Sequence, residues 1–446
     1  MHVMPRLALR GYLELNISAE IDLMDNKPNT ISDFYFFKIG PLWNNFKTQH
    51  FSFWMICFYL MFEFVRPQSI IPGISAIPWA QLFLMGALVG ALVDPSVKHV
   101  KSVANLYMVF FSIIITISIY SGFNPTISKS YAMFFYSWAI IYFLAIRIVN
   151  TKERLYMFLI IYLFAAGKIA LGTSRVWAFR GFSFTNWGLT GPKGFFQNSG
   201  ELSILMLMLF PLAFYLFQYL KKQVLMWEKW ILMAFWICPI LTILGASSRG
   251  SQVALVVQLI IMFRKSVFKI KPLIGILVLS AALVSLLPEE QKERFRNSGD
   301  DKTSQQRLLY WENGWEMIKK YPLSGVGYFN FVPYFNTYYP EDALYGSAEL
   351  PHNIFIQVGT DAGFPGILFF LLIILYCFFA TYRISKKFPP SNIARPIAAG
   401  LGMGVVGYVI AGQFVTVAYY PFLWVHLAFI VCLCNVTKSD QVLNKK

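Results

Sequence analysis

The side chains with the clearest chemical potential are a handful of cations that stand against the apolar run of the sequence. Arg249 sits in Ser247-Ser248-Arg249-Gly250, a tight loop between two apolar stretches. So short a loop pins a guanidinium at a membrane surface, and the helix that follows adds the positive end of its dipole there. Arg175 and Arg180 are expected in the loop after another apolar stretch, with Lys168 at that stretch's end. Lys193 lies in Gly191-Pro192-Lys193-Gly194, just ahead of Phe195-Phe196-Gln197-Asn198-Ser199-Gly200-Glu201. Gathered on one face, these groups would bind a multiply charged anion beside a bilayer, and a lipid pyrophosphate is an anion of that kind. Taken singly, each cation also has a plain structural use, as an interfacial side chain bonded to headgroups or carbonyls.

Histidine supplies the second signal. Of the five, His2, His50 and His99 fall in expected cytoplasmic segments and His426 falls inside an apolar run. His352, in Pro351-His352-Asn353, is the one expected in an outer aqueous region. An imidazole there could accept a proton from an attacking hydroxyl or, protonated, help hold phosphate. Scattered histidines without paired carboxylates give no metal site, so no metal or cofactor is expected. Glu63, Glu201 and Asp361 are expected at span ends, whereas an ion-coupled transporter would place such charges at mid-membrane.

The elements that position these residues follow from composition. Hydrophobic residues make up 57 % of the 446-residue chain and charged residues 13 %, about half the charge of a soluble domain. That excludes a disordered chain and an ordinary soluble enzyme, and it indicates an all-α polytopic membrane protein. Apolar runs near 51–65, 79–93, 104–121, 131–149, 155–171, 200–220, 229–246, 250–263, 271–287, 364–382, 396–413 and 416–435 give about twelve candidate spans. Residues 1–50 read as a cytosolic tail and 436–446 as a second one. Between them lie nine spans over 51–287, a large periplasmic loop over 288–363 and three spans over 364–435. Most loop lysines and arginines then fall inside, for example Lys221, Lys222 and Lys229, as the positive-inside rule requires. The net charge of +16 is explained by those loops and does not call for nucleic acid. Cys57, Cys238, Cys377, Cys432 and Cys434 lie in apolar runs as small fillers. Gly400 and Gly404 form a small-xxx-small pattern suited to close helix packing. In the large loop, Leu308, Trp311, Trp315 and Ile318 mark an amphipathic helix over Arg307–Tyr321, stopped by Pro322, Gly325 and Gly327. The aromatic stretch Tyr328–Tyr339 suggests a lid at the membrane interface.

Several motifs in this order resemble the O-antigen ligase-like family, the bacterial envelope glycan ligases and polymerases. They are Ser247-Ser248-Arg249-Gly250, Gln306-Arg307 with Trp311 and Trp315, Tyr321-Pro322-Leu323-Ser324-Gly325-Val326-Gly327-Tyr328, Pro351-His352-Asn353 and Gly363-Phe364-Pro365-Gly366. Phe64-Val65-Arg66-Pro67-Gln68 and the Gly194–Glu201 stretch are similar to one subgroup, which includes O-glycosylation ligases linked to exopolysaccharide or protein sorting. The resemblance spans roughly 51–435.

The resemblance implies a fold like the C-type membrane glycosyltransferases and a glycosyl transfer on the outer face of the bacterial inner membrane. The donor would be a glycan on undecaprenyl pyrophosphate, and the acceptor a hydroxyl of lipid A-core, another glycan or a protein. The family's essential outer-face arginines would map to Arg249 and to Arg180 or Arg175, and its essential loop histidine to His352. Arg249 and His352 would then be catalytic. Arg175, Arg180, Lys193 and Arg307 would bind pyrophosphate, with Arg307 and the aromatic stretch also closing the lid or meeting sugar faces. Configuration would invert and no metal would be needed. The competing readings are a polymerase or a protein O-oligosaccharyltransferase of the same superfamily, a transporter of lipid-linked sugar, and a non-enzymatic envelope assembly protein.

Overall fold

The computed structural model describes residues 38–69, 71–184, 188–267, 292 and 301–443. The chain divides into a unit over Met1–Thr48 and a second over Gln49–Lys446. In the first, α1 (Ile39–Lys47) buries no residue of its own and carries Lys47 over the Trp43 ring at 6.0 Å. The second unit is built from helices α2 (Phe51–Phe64), α3 (Trp79–Val93), α4 (Val103–Ser121), α5 (Pro125–Ile148), α6 (Lys152–Phe179), α7 (Ser199–Leu220) and α8 (Met226–Gly245). After them come α9 (Arg249–Val267), α10 (Lys302–Lys320), α11 (Phe331–Tyr338), α12 (Ile354–Lys387), α13 (Ala394–Ala411) and α14 (Pro421–Leu443).

Eight of these helices, α4 to α8 and α12 to α14, are long and apolar enough to cross a membrane, so the chain is a multi-pass helical membrane protein. The runs expected at 51–65 and 79–93 form the shorter apolar helices α2 and α3. The run at 250–263 lies in α9, whose ends carry Arg249, Arg264 and Lys265. The ninth expected span, 271–287, lies outside the described residues, as do residues 1–37 and most of the polar start of the large loop.

Element ends depart from the apolar runs where polar residues find partners inside a helix. α5 starts six residues ahead of its apolar run because Asn124 accepts the Ile127 N–H at 3.3 Å and Pro125 fits the first helical position. α6 runs on to Phe179 because the Thr173 and Ser174 hydroxyls donate to the carbonyls of Ile169 and Leu171, at 2.9 and 3.2 Å. Arg175 therefore lies within the helix, not in a loop, and Lys168 falls at mid-helix. α12 begins at Ile354, not near 364, because Asn353 accepts the N–H groups of Phe355 and Ile356 at 2.9 and 3.2 Å.

α12 breaks at Gly363, whose φ of 63° only glycine adopts without cost. The segment from Tyr321 to Phe329 wraps this break. Phe364 N–H donates to Pro322 O at 2.8 Å, Val326 N–H to Thr360 O at 2.7 Å, and Phe329 N–H to the buried Asp361 carboxylate at 3.0 Å. Gly325, at φ 64°, lies so close to the Thr360 carbonyl that a Cβ has no room. The Tyr321–Tyr328 motif is thus a clamp on a helix joint. Ser118 of α4 adds a hydroxyl bond to Asp361 O from the other side.

α10 is amphipathic as expected, and of the expected stripe Ile318 is buried and Trp311 packs against the core, but the inward face is shifted. Gln306, Tyr310, Asn313 and Met317 are buried, while Leu308 and Trp315 are 55 % and 45 % exposed. The buried amides are satisfied: Gln306 donates to Asp342 O at 2.8 Å and Asn313 to the Asp342 carboxylate at 2.7 Å. Tyr310 and Met317 form a compact core with Phe331, Tyr334 and Phe335 of the aromatic stretch. Gly400 and Gly404 let α13 approach the backbone of α7 at Leu212 and Met208, the close packing that small residues permit. All five cysteines are free.

Candidate active site

Arg249 opens α9 after a connection of three residues from α8. The preceding Ser247 adopts φ 56°, a sparsely populated conformation for a residue with a side chain. Gly250 packs against the Phe414 ring with no space for a Cβ. This geometry aims the Arg249 guanidinium at Asp301, which accepts from Nη1 and Nη2 on one oxygen at 3.1 and 3.2 Å. Asp301 is also the N-cap of α10, accepting the Ser304 N–H at 3.1 Å and the Ser304 hydroxyl at 2.7 Å. Partial burial alone would raise its pKa. The bonds from Ser304 and Arg249 outweigh that and hold it down to about 2.

Arg307 follows on α10. It is half-buried, and its Nε lies inside with no hydrogen-bond partner among the described residues. Burial and the neighbouring Arg249 charge push its pKa down, against the pull of Asp301 and Glu349. A guanidinium keeps its proton under such pressure, so Arg307 is a charged donor with unused capacity.

His352 lies in the segment just ahead of α12. Its ring Nε2 lies 3.3 Å from Glu349 Oε2, and a 29 % exposed side chain leaves the ring reachable. The His352 hydrogen bond, assisted by the imidazole and Arg307 charges, holds the Glu349 carboxyl below its ordinary value against partial burial. The backbone here is fixed with care. His352 sits at φ 51°, its N–H donates to Thr416 Oγ1 at 2.8 Å, and Trp311 donates its indole N–H to Pro351 O at 3.0 Å. Glu349 N–H donates to Tyr310 Oη at 2.8 Å. Trp311 in turn packs on Phe414, the ring that meets Gly250.

The result is one set of charges: Arg249 bonded to Asp301, Glu349 bonded to His352, and Arg307 within electrostatic reach of both carboxylates. It offers two guanidinium groups for an anion and an imidazole oriented by a carboxylate, the arrangement that suits proton transfer next to a charged leaving group. Among the described residues, no group of three or more His, Cys, Asp or Glu is placed to hold a metal ion.

The other expected cations stand apart. Arg175 lies over the Phe179 ring at 5.4 Å on the exposed face of α6. Arg180 is the exposed C-cap of that helix. Lys193 is exposed on a turn whose Gly194 faces the Arg66 guanidinium. No described contact joins these three to the Arg249 set. Sequence reasoning passed over Asp301 and Glu349, which carry the arrangement. Asp301 was signalled by the Asp-x-x-Ser spacing of a helix cap, and Glu349 by its place three residues before His352.

Residues 233–371 match a family described as O-antigen ligase, which bears out the resemblance seen in the sequence. The matched stretch contains all five members of this set of charges, whereas Arg175, Arg180 and Lys193 precede it. No curated protein matches the chain.

Proposed function

We propose that the chain, whose residues 233–371 match the O-antigen ligase family, is a membrane enzyme of the ligase or polymerase type that transfers a glycan from undecaprenyl pyrophosphate to an acceptor hydroxyl. The acceptor is lipid A-core or a related envelope acceptor, and transfer takes place at the periplasmic face of the bacterial inner membrane. The reading is carried by the Arg249–Asp301 and Glu349–His352 contacts, with the charged Arg307 in electrostatic reach of both carboxylates.

In this reaction the acceptor oxygen attacks the anomeric carbon and the bond from that carbon to the pyrophosphate oxygen breaks. Attack from the face opposite the leaving group inverts configuration. Negative charge grows on the departing oxygen, so guanidinium groups beside it stabilise the transition state more than the ground state. Arg249 and Arg307 fill that role, since the planar fork matches phosphate oxygens and stays charged. Arg249 exchanges Asp301 for phosphate, and Arg307 brings its unused Nε–H. His352 takes the acceptor proton, and Glu349 orients the ring and stabilises the imidazolium that forms.

The test is a transfer assay with purified protein and one lipid-pyrophosphate glycan, offering lipid A-core, a second glycan or a protein, with and without chelator. Lipid A-core modification that survives chelation is the expected result. Use of the second glycan or the protein would assign the polymerase or protein-transferase activity instead. Arg249→Ala and His352→Ala should each lower transfer by about a hundredfold or more while leaving membrane insertion intact, and a wild-type rate in either variant removes that residue from the mechanism.

A further inference from the structure

A second basic site lies at the far end of α8. We propose that the cleft between the end of α7 and the start of α8 is a headgroup site for an anionic phospholipid. The cleft encloses about 360 Å³ and is lined by Lys221, Lys222 and Lys229 together with Phe217, Trp230 and Met233. From Met226 to Gly245, α8 spans about 30 Å at 1.5 Å per residue, the thickness of a bilayer's hydrocarbon core. Arg249 follows at one end and the cleft sits at the other, so the cleft lies at headgroup depth on the opposite membrane face.

The three lysines converge without a balancing charge. Lys222 and Lys229 pair with no carboxylate among the described residues. Lys221 donates to the neutral Gln218 at 2.5 Å and lies 5.9 Å from the Phe217 ring centre. The neighbouring acid, Glu228, is buried and accepts the Leu225 N–H at 2.6 Å, so its carboxylate is spent on capping α8. Around the rim, Leu225, Met226, Trp227 and Trp230 are exposed. Tryptophans of this kind settle at the bilayer interface, and the apolar rim suits the upper part of acyl chains.

Topology alone requires lysines on this side of the membrane, but not that they meet in a cleft. Lys386, at the end of α12, shows the alternative: it lies over its own helix's Tyr382 ring at 5.6 Å. Lysine also suits an exchangeable lipid better than arginine does, because the ammonium is a mobile point charge rather than a fixed fork. Basic pockets between transmembrane helices recognise anionic headgroups through this chemistry.

The experiment uses the full chain in a neutral detergent. Retention of phosphatidylglycerol, phosphatidylcholine and inorganic phosphate is compared by native mass spectrometry, for wild type, Lys221→Gln/Lys222→Gln/Lys229→Gln and Lys386→Gln/Lys387→Gln. Wild type should retain phosphatidylglycerol at least fivefold over phosphatidylcholine. The first variant should lose that preference, and the Lys386/Lys387 variant should keep it. Equal retention of the two lipids by wild type, an unchanged preference in the triple variant, or an equal loss in both variants overturns the proposal. Inorganic phosphate at millimolar concentration should leave the lipid preference in place, and its abolition by phosphate would assign the site to the free ion. The readout does not involve transfer, so it stands or falls separately from the proposed activity.

Discussion

The two ends of α8 hold the same sign of charge in opposite ways. At the Arg249 end, the Arg249 guanidinium is ordered by the Asp301 carboxylate, itself a helix cap, and the neighbouring backbone sits at positive φ. At the Lys229 end, ammonium groups share an open cleft with aromatic and thioether side chains and meet no carboxylate among the described residues. The first arrangement is preorganised, which costs backbone strain and desolvation but holds donors at fixed positions. The second is adaptable and sets no geometry. A reaction that must stabilise charge at one oxygen needs the former, and a lipid that comes and goes needs only the latter.

Substitutions at either end put the contrast to the test. The largest effect belongs to Arg249→Ala, which should lower kcat on the order of a hundredfold to a thousandfold, about 3–4 kcal/mol. Arg249→Lys should recover less than a tenth of the wild-type rate, because a point charge cannot replace the fork. Recovery of full activity would show that fixed geometry is unnecessary. Glu349→Gln removes only the orienting charge, and a loss of about tenfold in kcat with unchanged KM is expected, as for other histidine-orienting partners.

Asp301→Asn tests the pH side. Its carboxyl is held at about 2 in the folded chain against about 3.9 unfolded, so its contribution to stability is complete above pH 4 and fades as pH falls towards 2. With both partners about 30 % exposed, that contribution should be no more than about 1 kcal/mol. Thermal unfolding at pH 6 should separate wild type from Asp301→Asn, and the difference should shrink at pH 3. The smallest effect should come from Lys221→Gln/Lys222→Gln/Lys229→Gln, which ought to change transfer in detergent by less than about twofold, an effect of the size of ordinary surface substitutions.

What could be read in the sequence depended on how local its cause was. Arg249 and His352 stood out because each is an unusual residue type beside an apolar run. The spans were visible for the same reason, through hydropathy. Arg175 was misplaced because Thr173 and Ser174 end an apolar window, yet their hydroxyls bond within the helix and let it continue. The buried face of α10 was legible in part: Ile318 lies inside as its stripe implies, but Gln306 and Asn313 count as polar in any pattern, while Asp342 and Leu344 satisfy them inside. Asp301 and Glu349 each carried a short-range mark. Nothing in sequence distance links Asp301 to Arg249, 52 residues earlier. That pairing exists only once α9 and α10 are folded. Arg66 and Gly194 each stand in a motif, but that they meet is not legible in the sequence, since the contact joins distant segments.

The break at Gly363 has a mechanical consequence. The stub from Ile354 to Ala362 is tied on both sides, by Ile354 to Gly412 and by Thr360 to Val326. The longer portion, from Phe364 to Lys387, is tied as well, by Phe364 to Pro322 and by Tyr376 to Ser102. The joint therefore holds its two portions at a set angle, and a Cβ added at Gly363, which would meet the Pro322 carbonyl, would load both at once.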